Sequence, residues 1–336
     1  MADLTWQNKQ RIAVPQNIPS HAHLQTQEII TNQLHENAPS SDLNWHNRLI
    51  HGNKAVILPA LLDEFSAMVN LIYIDPPFMT GRDFISGTQL AYSDKWNNDL
   101  DTYLQWLYET FILLHRLLAQ TGSLYVHLDW RVAHYAKVLL DEIFGFGPNA
   151  EGPGFKSEII WHYQSGGRPQ KWYARKHDTI LLYTKSGDYC FHGERIGERR
   201  GTQARNHMRK QVGPDGHITW TIRSAGRLYS YDEDAIMTPA DVWSDISHLQ
   251  QKDPERNGYA TQKPAALLER ILLASSEEDD LVLDCFCGSG VTPAVADRLG
   301  RRWIACDQSA LAIQLTQKRL MTWEHYSPFV VQQVAP

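Results

Sequence analysis

The sequence predicts an α/β fold, a mostly parallel sheet wound with helices and interrupted by a basic insertion. Three observations carry that reading. Short apolar runs alternate with helical periodicities, the pattern of strand–helix units. A glycine loop, Cys285-Phe-Cys-Gly-Ser-Gly290, follows the apolar run Leu281-Val-Leu-Asp284 close to the C-terminus. Only 29 residues follow Asp307, too few to complete a doubly wound sheet. The missing strands must come from upstream, so 45–145 and 264–320 make one sheet and the segment between them projects from it.

The elements follow in order. Residues 1–43 are polar, with prolines at 15, 19 and 39, and read as a poorly defined arm. Leu71–Ile74 is a buried strand cut off by Asp75-Pro-Pro. Leu100, Tyr103, Leu104, Leu107, Phe111, Leu114 and Leu118 recur at helical spacing, which predicts a helix over 100–119. A strand at Leu124–Leu128 and a helix over about 131–144 come next. Glu158–Trp161 and Thr179–Tyr183 read as strands, and 186–245 as short β-like pieces rich in Gly, Arg and His. Pro264 suits the first turn of a helix Ala265–Ala274. The strand Leu281–Asp284, the glycine loop, a helix at 291–299 and a strand at Trp303–Asp307 complete the pattern. The domain reading is an arm 1–43, a catalytic half 44–164, an insertion 165–245, a cofactor half 246–325 and a tail 326–336.

Composition sets limits. The chain has 336 residues, 43% hydrophobic and 21% charged, enough to bury a full core. No apolar run approaches the roughly 18 residues that span a bilayer, so no membrane association is expected. The N-terminus lacks the basic and apolar regions of a signal peptide, and four cysteines cannot staple a chain this long. A cytoplasmic protein is the expectation. The net charge of −6 argues at first against nucleic acid, but it is uneven. Residues 151–230 hold 14 Lys and Arg against 7 Asp and Glu, while the other 256 residues hold 18 against 31. A basic segment between acidic flanks reads as an anion-facing module.

Strand, glycine loop, helix, strand and terminal acid describe a nucleotide-type site. Gly288 and Gly290 permit a tight turn, and Asp307 stands where a carboxylate accepts ribose hydroxyls. The third glycine of the dinucleotide pattern is replaced by Pro293, and no Lys or Arg lies in the loop to meet a pyrophosphate. Asp284 at the mouth suits a cationic ligand. S-adenosylmethionine fits this description, with a nicotinamide cofactor as the alternative. Cys285/Cys287, His21/His23 and His127/Asp129 lack further ligands at metal spacing, and no metal is assigned. Asp75-Pro-Pro-Phe78 closes its strand where ligands bind in open α/β sheets. An aromatic face and acceptors beside it, the Asp75 carboxylate and the Pro76 carbonyl, are what a flipped-out base with an exocyclic amine requires.

These motifs together resemble the permuted (β-class) DNA amino-methyltransferases of restriction–modification systems. The resemblance runs from about Asn47 to Leu320, through Asn47–Asn53, Tyr73–Gly81, Val126–Asp129, Glu158–Trp161, Asn257–Pro264 and Asp284–Gly290. It implies a Rossmann-like, S-adenosylmethionine-dependent sheet of seven strands with the catalytic motif ahead of the cofactor loop. It further implies Asp75, Pro76, Pro77 and Phe78 as the catalytic pocket. Asp284, Phe286, Gly288, Ser289, Gly290, Asp307 and Asn53 would bind the cofactor, with Gln262 and Lys263 at its methionine end. Asn53 stands where the family often has aspartate, Phe78 where tyrosine is commoner, Met79 where asparagine is frequent and Cys285 where proline is frequent.

The insertion then occupies the target-recognition position. Arg168, Lys171, Arg175, His177, Arg199, Arg200, Arg205 and Arg209 are its candidate contacts to double-stranded DNA. The expected reaction is methylation of adenine N6 in a flipped base, because aspartate before Pro-Pro leans that way, with cytosine N4 as the alternative. A nicotinamide-dependent oxidoreductase and a non-catalytic DNA-binding subunit are the remaining readings. No proline is followed by cysteine, which disfavours C5-cytosine chemistry. Homodimerisation and an endonuclease or defence-system partner are left open.

Overall fold

The computed structural model describes residues 3–11, 23–32, 45–86, 88–97, 99–147, 151–164, 167–199 and 207–335. They form two compact units, residues 191–240 and the remainder. In the larger unit the chain runs β1 (Leu24–Ile30), β2 (Asn47–His51), α1 (Lys54–Phe65), β3 (Val69–Ile74), the hairpin β4 (Asp83–Ser86) and β5 (Gln89–Ser93), and α2 (Leu100–Leu117). It continues with β6 (Leu118–Leu128), α3 (Ala133–Phe144), β7 (Gly154–His162) and β8 (His177–Thr184). The smaller unit holds α4 (Gly193–Ile196), β9 (Glu198–Arg199), β10 (Arg209–Val212), β11 (Ile218–Ser224), β12 (Arg227–Asp232) and β13 (Ile236–Met237). The chain then returns through β14 (Val242–Trp243), α5 (Ala265–Ser275), β15 (Leu281–Asp284), α6 (Val291–Arg298), β16 (Arg302–Asp307), α7 (Ala310–Met321) and β17 (Phe329–Val334).

The main sheet has the order β1-β17-β2-β16-β15-β3-β6-β8-β7-β14. It is parallel from β17 to β6 and antiparallel where β8 inserts between β6 and β7. Its central strands are buried on both faces, which is why they read as unbroken apolar runs. Along β3, Ile72 and Ile74 meet α1, α2 and α3 on one side, while Leu71 and Tyr73 join α5, α6 and α7 on the other. Side-chain alternation along an extended strand divides the two cores. The helices start where local chemistry starts them. Asp99 accepts the Thr102 amide at 3.1 Å ahead of α2, and Asn53 accepts the Ala55 amide at 2.9 Å ahead of α1.

Several sequence expectations are corrected. Among the described residues the sheet has ten strands rather than seven. Leu24–Ile30, read as part of an arm, and Phe329–Val334, read as tail, are strands that cover the edge left by β2. The driving force is burial of Phe329 against Trp303, with ring centroids 5.6 Å apart, and of Ile30 beyond it. Gln332 and Gln333 interrupt the apolar pattern there and hide the strand. The insertion boundaries also shift, since β8 and β14 belong to the main sheet and the separate unit spans only 191–240. Among the described residues no helix is long and apolar enough to cross a membrane.

Candidate active site

The chain crosses from β15 through α6 to β16 on one side, and from β3 through α2 to β6 on the other. Between β15 and β3 the winding direction reverses, and adjacent loops part to leave a crevice at the carboxyl ends of the strands. Asp284 ends β15, Asp307 ends β16 and Asp75 follows β3. All three line one cavity of about 270 Å³.

On the β15 side every carboxylate oxygen is held. Asp284 accepts the Phe286 amide at 2.9 Å and the Thr292 hydroxyl at 2.6 Å. Asp307 accepts the Gly288 amide at 2.9 Å and the Ser309 amide at 2.8 Å. Burial, reinforced by the charges of Asp75 and Asp307, pushes the Asp284 carboxyl up to about 7, against the pull of its two hydrogen bonds. Asp307 is likewise raised by burial. Gly288 and Gly290 both have positive φ, at 48° and 77°. A Cβ on Gly290 would lie 2.6 Å from the Thr316 hydroxyl, so the loop packs against α7 only with glycine there. The Ser289 carbonyl accepts Asn257 Nδ2 at 3.0 Å and Arg319 Nε at 2.9 Å.

On the β3 side the arrangement differs. Asp75 Oδ2 forms an ion pair with Lys263, while Oδ1 is buried with no hydrogen-bond partner. Phe78 lies nearly parallel to the His127 ring, centroids 6.2 Å apart, with the Lys263 ammonium 5.3 Å from its own centroid. The segment after it is clamped by Asp94, which is fully buried. That carboxylate accepts the Met79 and Thr80 amides at 2.9 and 2.8 Å, the Thr80 hydroxyl at 2.7 Å and Trp96 Nε1 at 3.0 Å. Met79 is held at a φ of 59° within this clamp. The Pro77 carbonyl accepts the Tyr103 hydroxyl at 2.8 Å. Beneath the motif a buried row of hydrogen bonds runs from the Tyr73 hydroxyl to His127 Nδ1 (2.9 Å), and from His127 Nε2 to Asp178 (3.1 Å). Tyr163 donates to the other Asp178 oxygen at 2.9 Å.

Most of the expected catalytic and cofactor residues line this cavity, some with other partners than expected, while Pro76, Phe78 and Gly290 are not among its lining residues. Gln262 lines the cavity, but its oxygen accepts the Asn257 amide and its nitrogen donates to the Glu255 carbonyl. Lys263 is engaged by Asp75, and Asn53 caps α1 from the cavity rim. Lys54, Trp106, Trp96 and Tyr92 also line the cavity and carry no sequence signal, while Tyr259 reaches it from within the Asn257–Pro264 motif. Lys54, Trp106 and Tyr92 look like ordinary helix or hairpin residues, and Trp96 like a loop residue, until the fold is formed.

The basic residues divide between the units. Arg168, Lys171 and Arg175 are exposed in the segment between β7 and β8 and His177 at the start of β8, and Arg175 lies over the Trp130 ring at 3.6 Å. Arg199 and Arg209 are exposed in the smaller unit, where Arg199 pairs with Asp234 at 3.2 Å. Its largest sheet, β10-β11-β12, also displays Lys210, Arg223 and Arg227. Arg200 and Arg205 lie outside the described residues.

The cavity can be matched to a ligand by charge. Its carboxylates are Asp75, Asp284 and Asp307, and residues 285–290 offer no cationic side chain to a phosphate. An adenosine bearing an ammonium and a sulfonium fits these residues, whereas a pyrophosphate does not.

Comparison with known proteins agrees. The DNA methylase family, N6/N4 type, matches residues 69–318. A DNA adenine methyltransferase of Escherichia coli K12, YhdJ, is 29% identical over 286 residues, covering 84% of this chain and 86% of its own. The type II methyltransferase M.HpaI of Haemophilus parainfluenzae is 30% identical over 254 residues, covering 75% and 68%. Among solved structures, a DNA modification methylase of Thermus thermophilus, TTHA0409, complexed with S-adenosyl-L-methionine, superposes with a TM-score of 0.53 at 20% identity, covering 85% of this chain and 97% of that one. The PvuII cytosine-N4-specific DNA methyltransferase gives 0.51 at 17% identity, covering 81% and 86%. These two share the Rossmann-like fold. The order of motifs, the charge of the cavity and the family match exclude the nicotinamide reading and lead to one assignment: the chain belongs to the permuted N6/N4 DNA methylases of the restriction–modification type, whose cofactor is S-adenosylmethionine.

Proposed function

We propose that the chain methylates the exocyclic N6 of adenine in a base flipped out of double-stranded DNA. The observation that carries this reading is Asp75 Oδ1, a buried acceptor without a partner at the carboxyl end of β3. An orphaned buried acceptor costs about 1–3 kcal/mol, and a substrate N–H is the group that removes the cost. Aspartate in this position, and a relative named as an adenine methyltransferase, favour adenine over cytosine.

S-adenosylmethionine would supply an electrophilic methyl group when bound, with Asp307 to hold its ribose and Asp284, Phe286 and the Gly288–Gly290 loop to hold the rest. An exocyclic amine is a weak nucleophile, since its lone pair is delocalised into the ring. Asp75 Oδ1 and the Pro76 carbonyl accept its two N–H bonds and favour the pyramidal nitrogen of the transition state. Asp75 Oδ1 would take the extra proton that nitrogen carries once it has gained the methyl group. Lys263 fixes the carboxylate from its other oxygen, and Phe78 offers a ring for the base to stack on. The Asp94 clamp and the Tyr103 hydroxyl hold Pro77 and Phe78 in place. The segment 167–177 and the unit 191–240 are each proposed to contact DNA.

The test is nucleoside analysis by mass spectrometry of DNA incubated with the chain and the cofactor. N6-methyladenine is expected, and N4-methylcytosine alone would overturn the adenine assignment. Absence of any methylated base across DNA of varied sequence would return the non-catalytic reading.

A further inference from the structure

Three lysines line the cavity, and their partners differ. Lys95 pairs with Asp83 and Lys263 pairs with Asp75. Lys54 has no carboxylate within salt-bridge distance among the described residues. Its ammonium donates to the Thr110 hydroxyl and to the Trp106 carbonyl at 3.3 Å, and it stands 4.2 Å from the Trp106 ring centroid. The residue is only 7% exposed. Two neutral acceptors and an aromatic face solvate an ammonium without neutralising it, and a buried charge calls for a counter-ion.

The charges of the cavity can then be set against those of the ligand. After the Lys263–Asp75 pair is removed, one unpaired ammonium and two carboxylates, Asp284 and Asp307, remain on the walls. The methionyl part of S-adenosylmethionine carries one carboxylate and one ammonium, beside its sulfonium. Among the described residues, the one wall lysine without a carboxylate partner matches the lone anionic group of the ligand. We propose that Lys54 is the ion-pair partner of the cofactor's α-carboxylate, and that Lys263 serves the catalytic aspartate instead. Burial agrees with this placement, because it holds the Lys54 ammonium down to about 8 and so leaves it in need of an anion. Trp106 ties the site to the cofactor loop, its ring packing 5.5 Å from that of Phe286.

This inference rests on the cofactor reading, and calorimetry on the full chain separates the two. The probes are S-adenosylhomocysteine and its decarboxylated analogue, which differ only in the carboxylate. The unsubstituted chain should prefer the carboxylated probe by about 30-fold or more, the scale of a desolvated charge pair. In Lys54→Met that preference should collapse through loss of affinity for S-adenosylhomocysteine, with the analogue little changed. Lys54→Arg keeps the charge and should keep most of the preference, which guards against a folding defect in the first variant. An undiminished preference in Lys54→Met, or its transfer to a Lys263→Met variant, would overturn the assignment. Failure of both probes to bind the unsubstituted chain would overturn the cofactor reading instead.

Discussion

Two carboxylates end neighbouring strands of one sheet and are treated in opposite ways. Asp284, closing β15, has both oxygens satisfied by an amide and a hydroxyl from its own loop and helix. Asp75, one residue beyond the adjacent β3, has one oxygen in an ion pair and the other buried and unpartnered. A satisfied carboxylate is rigid and fit to hold a ligand that must not move. An unsatisfied one is poised to take a hydrogen bond whose strength changes during reaction, and only such an interaction speeds chemistry. On the proposed function, the difference places binding on the β15–β16 side and catalysis on the β3 side.

The largest expected effect breaks this division at Asp75. Asp75→Ala should lower the rate of labelled-methyl transfer to DNA by about a thousandfold, the scale of a lost transition-state hydrogen-bond acceptor. Affinity for S-adenosylhomocysteine should move by only about threefold. Asp75→Asn, which preserves shape beside Lys263, should show the same split. A variant that loses both binding and rate together would put Asp75 on the binding side and dissolve the contrast.

Asp307 supplies the converse case. Its oxygens hold the Gly288 and Ser309 amides and remain able to accept from a ribose. Asp307→Ala should weaken S-adenosylhomocysteine by roughly 30-fold, as expected for hydrogen bonds to a charged group. At saturating cofactor the methyl-transfer rate should stay within about threefold. A rate defect that saturation does not cure would contradict the assignment.

The Asp284 carboxyl, lifted to about 7 by burial, gives the contrast a pH signature. The unfolded chain releases this proton near the ordinary value of 3.8, whereas the folded chain keeps it until about 7. This group's contribution to stability is therefore greatest below the unfolded value, declines as pH rises from about 4 to about 7, and is flat above. Ligand binding runs the other way, because an ammonium prefers the ionised form. Affinity for S-adenosylhomocysteine should rise by up to about tenfold per pH unit below 7 and level off above it. Thr292→Val removes a hydrogen bond that lowers the value and should move the inflection upward. A profile that is flat between pH 5 and 7, or that Thr292→Val leaves in place, would show that Asp284 does not face the ligand's charge.

How much of this is legible in the chain depends on how local each signal is. The strand Leu281–Asp284 is readable to the residue, because four apolar-to-acid positions are bounded by a glycine loop on one side and acids on the other. Asp75-Pro-Pro-Phe78 is equally plain, since prolines stop a strand where its last residue must face the crevice. The edge strand β1 and its neighbour β17 escape a sequence reading because half-exposed strands tolerate glutamine and lose their alternation. Asp94 lies 16 residues beyond Phe78, in a loop whose fold alone turns its carboxylate onto the Met79 and Thr80 amides. Lys54 reads as a routine first-turn lysine, and becomes buried only when α2 lays Trp106 and Thr110 across it. Residues defined by one segment are visible, and those defined by packing between distant segments are not.

The smallest expected effect tests whether the catalytic side is held from below. Tyr73 sits on β3 two residues before Asp75, and its hydroxyl meets His127 Nδ1 at 2.9 Å under the Phe78 ring. Among the described residues Asp284 has no comparable row of side chains beneath it, since its partners come from its own loop and α6. Tyr73→Phe removes one hydroxyl and leaves a buried imidazole nitrogen unpartnered, which should cost about 1–3 kcal/mol of stability to denaturant. If the row also positions Phe78, methyl transfer at saturating cofactor should fall, by less than about tenfold, with S-adenosylhomocysteine affinity unchanged. Loss of stability with an unaltered rate would reduce the row to a packing element. It would also leave the Asp94 clamp and the Tyr103 hydroxyl as the supports of the catalytic motif.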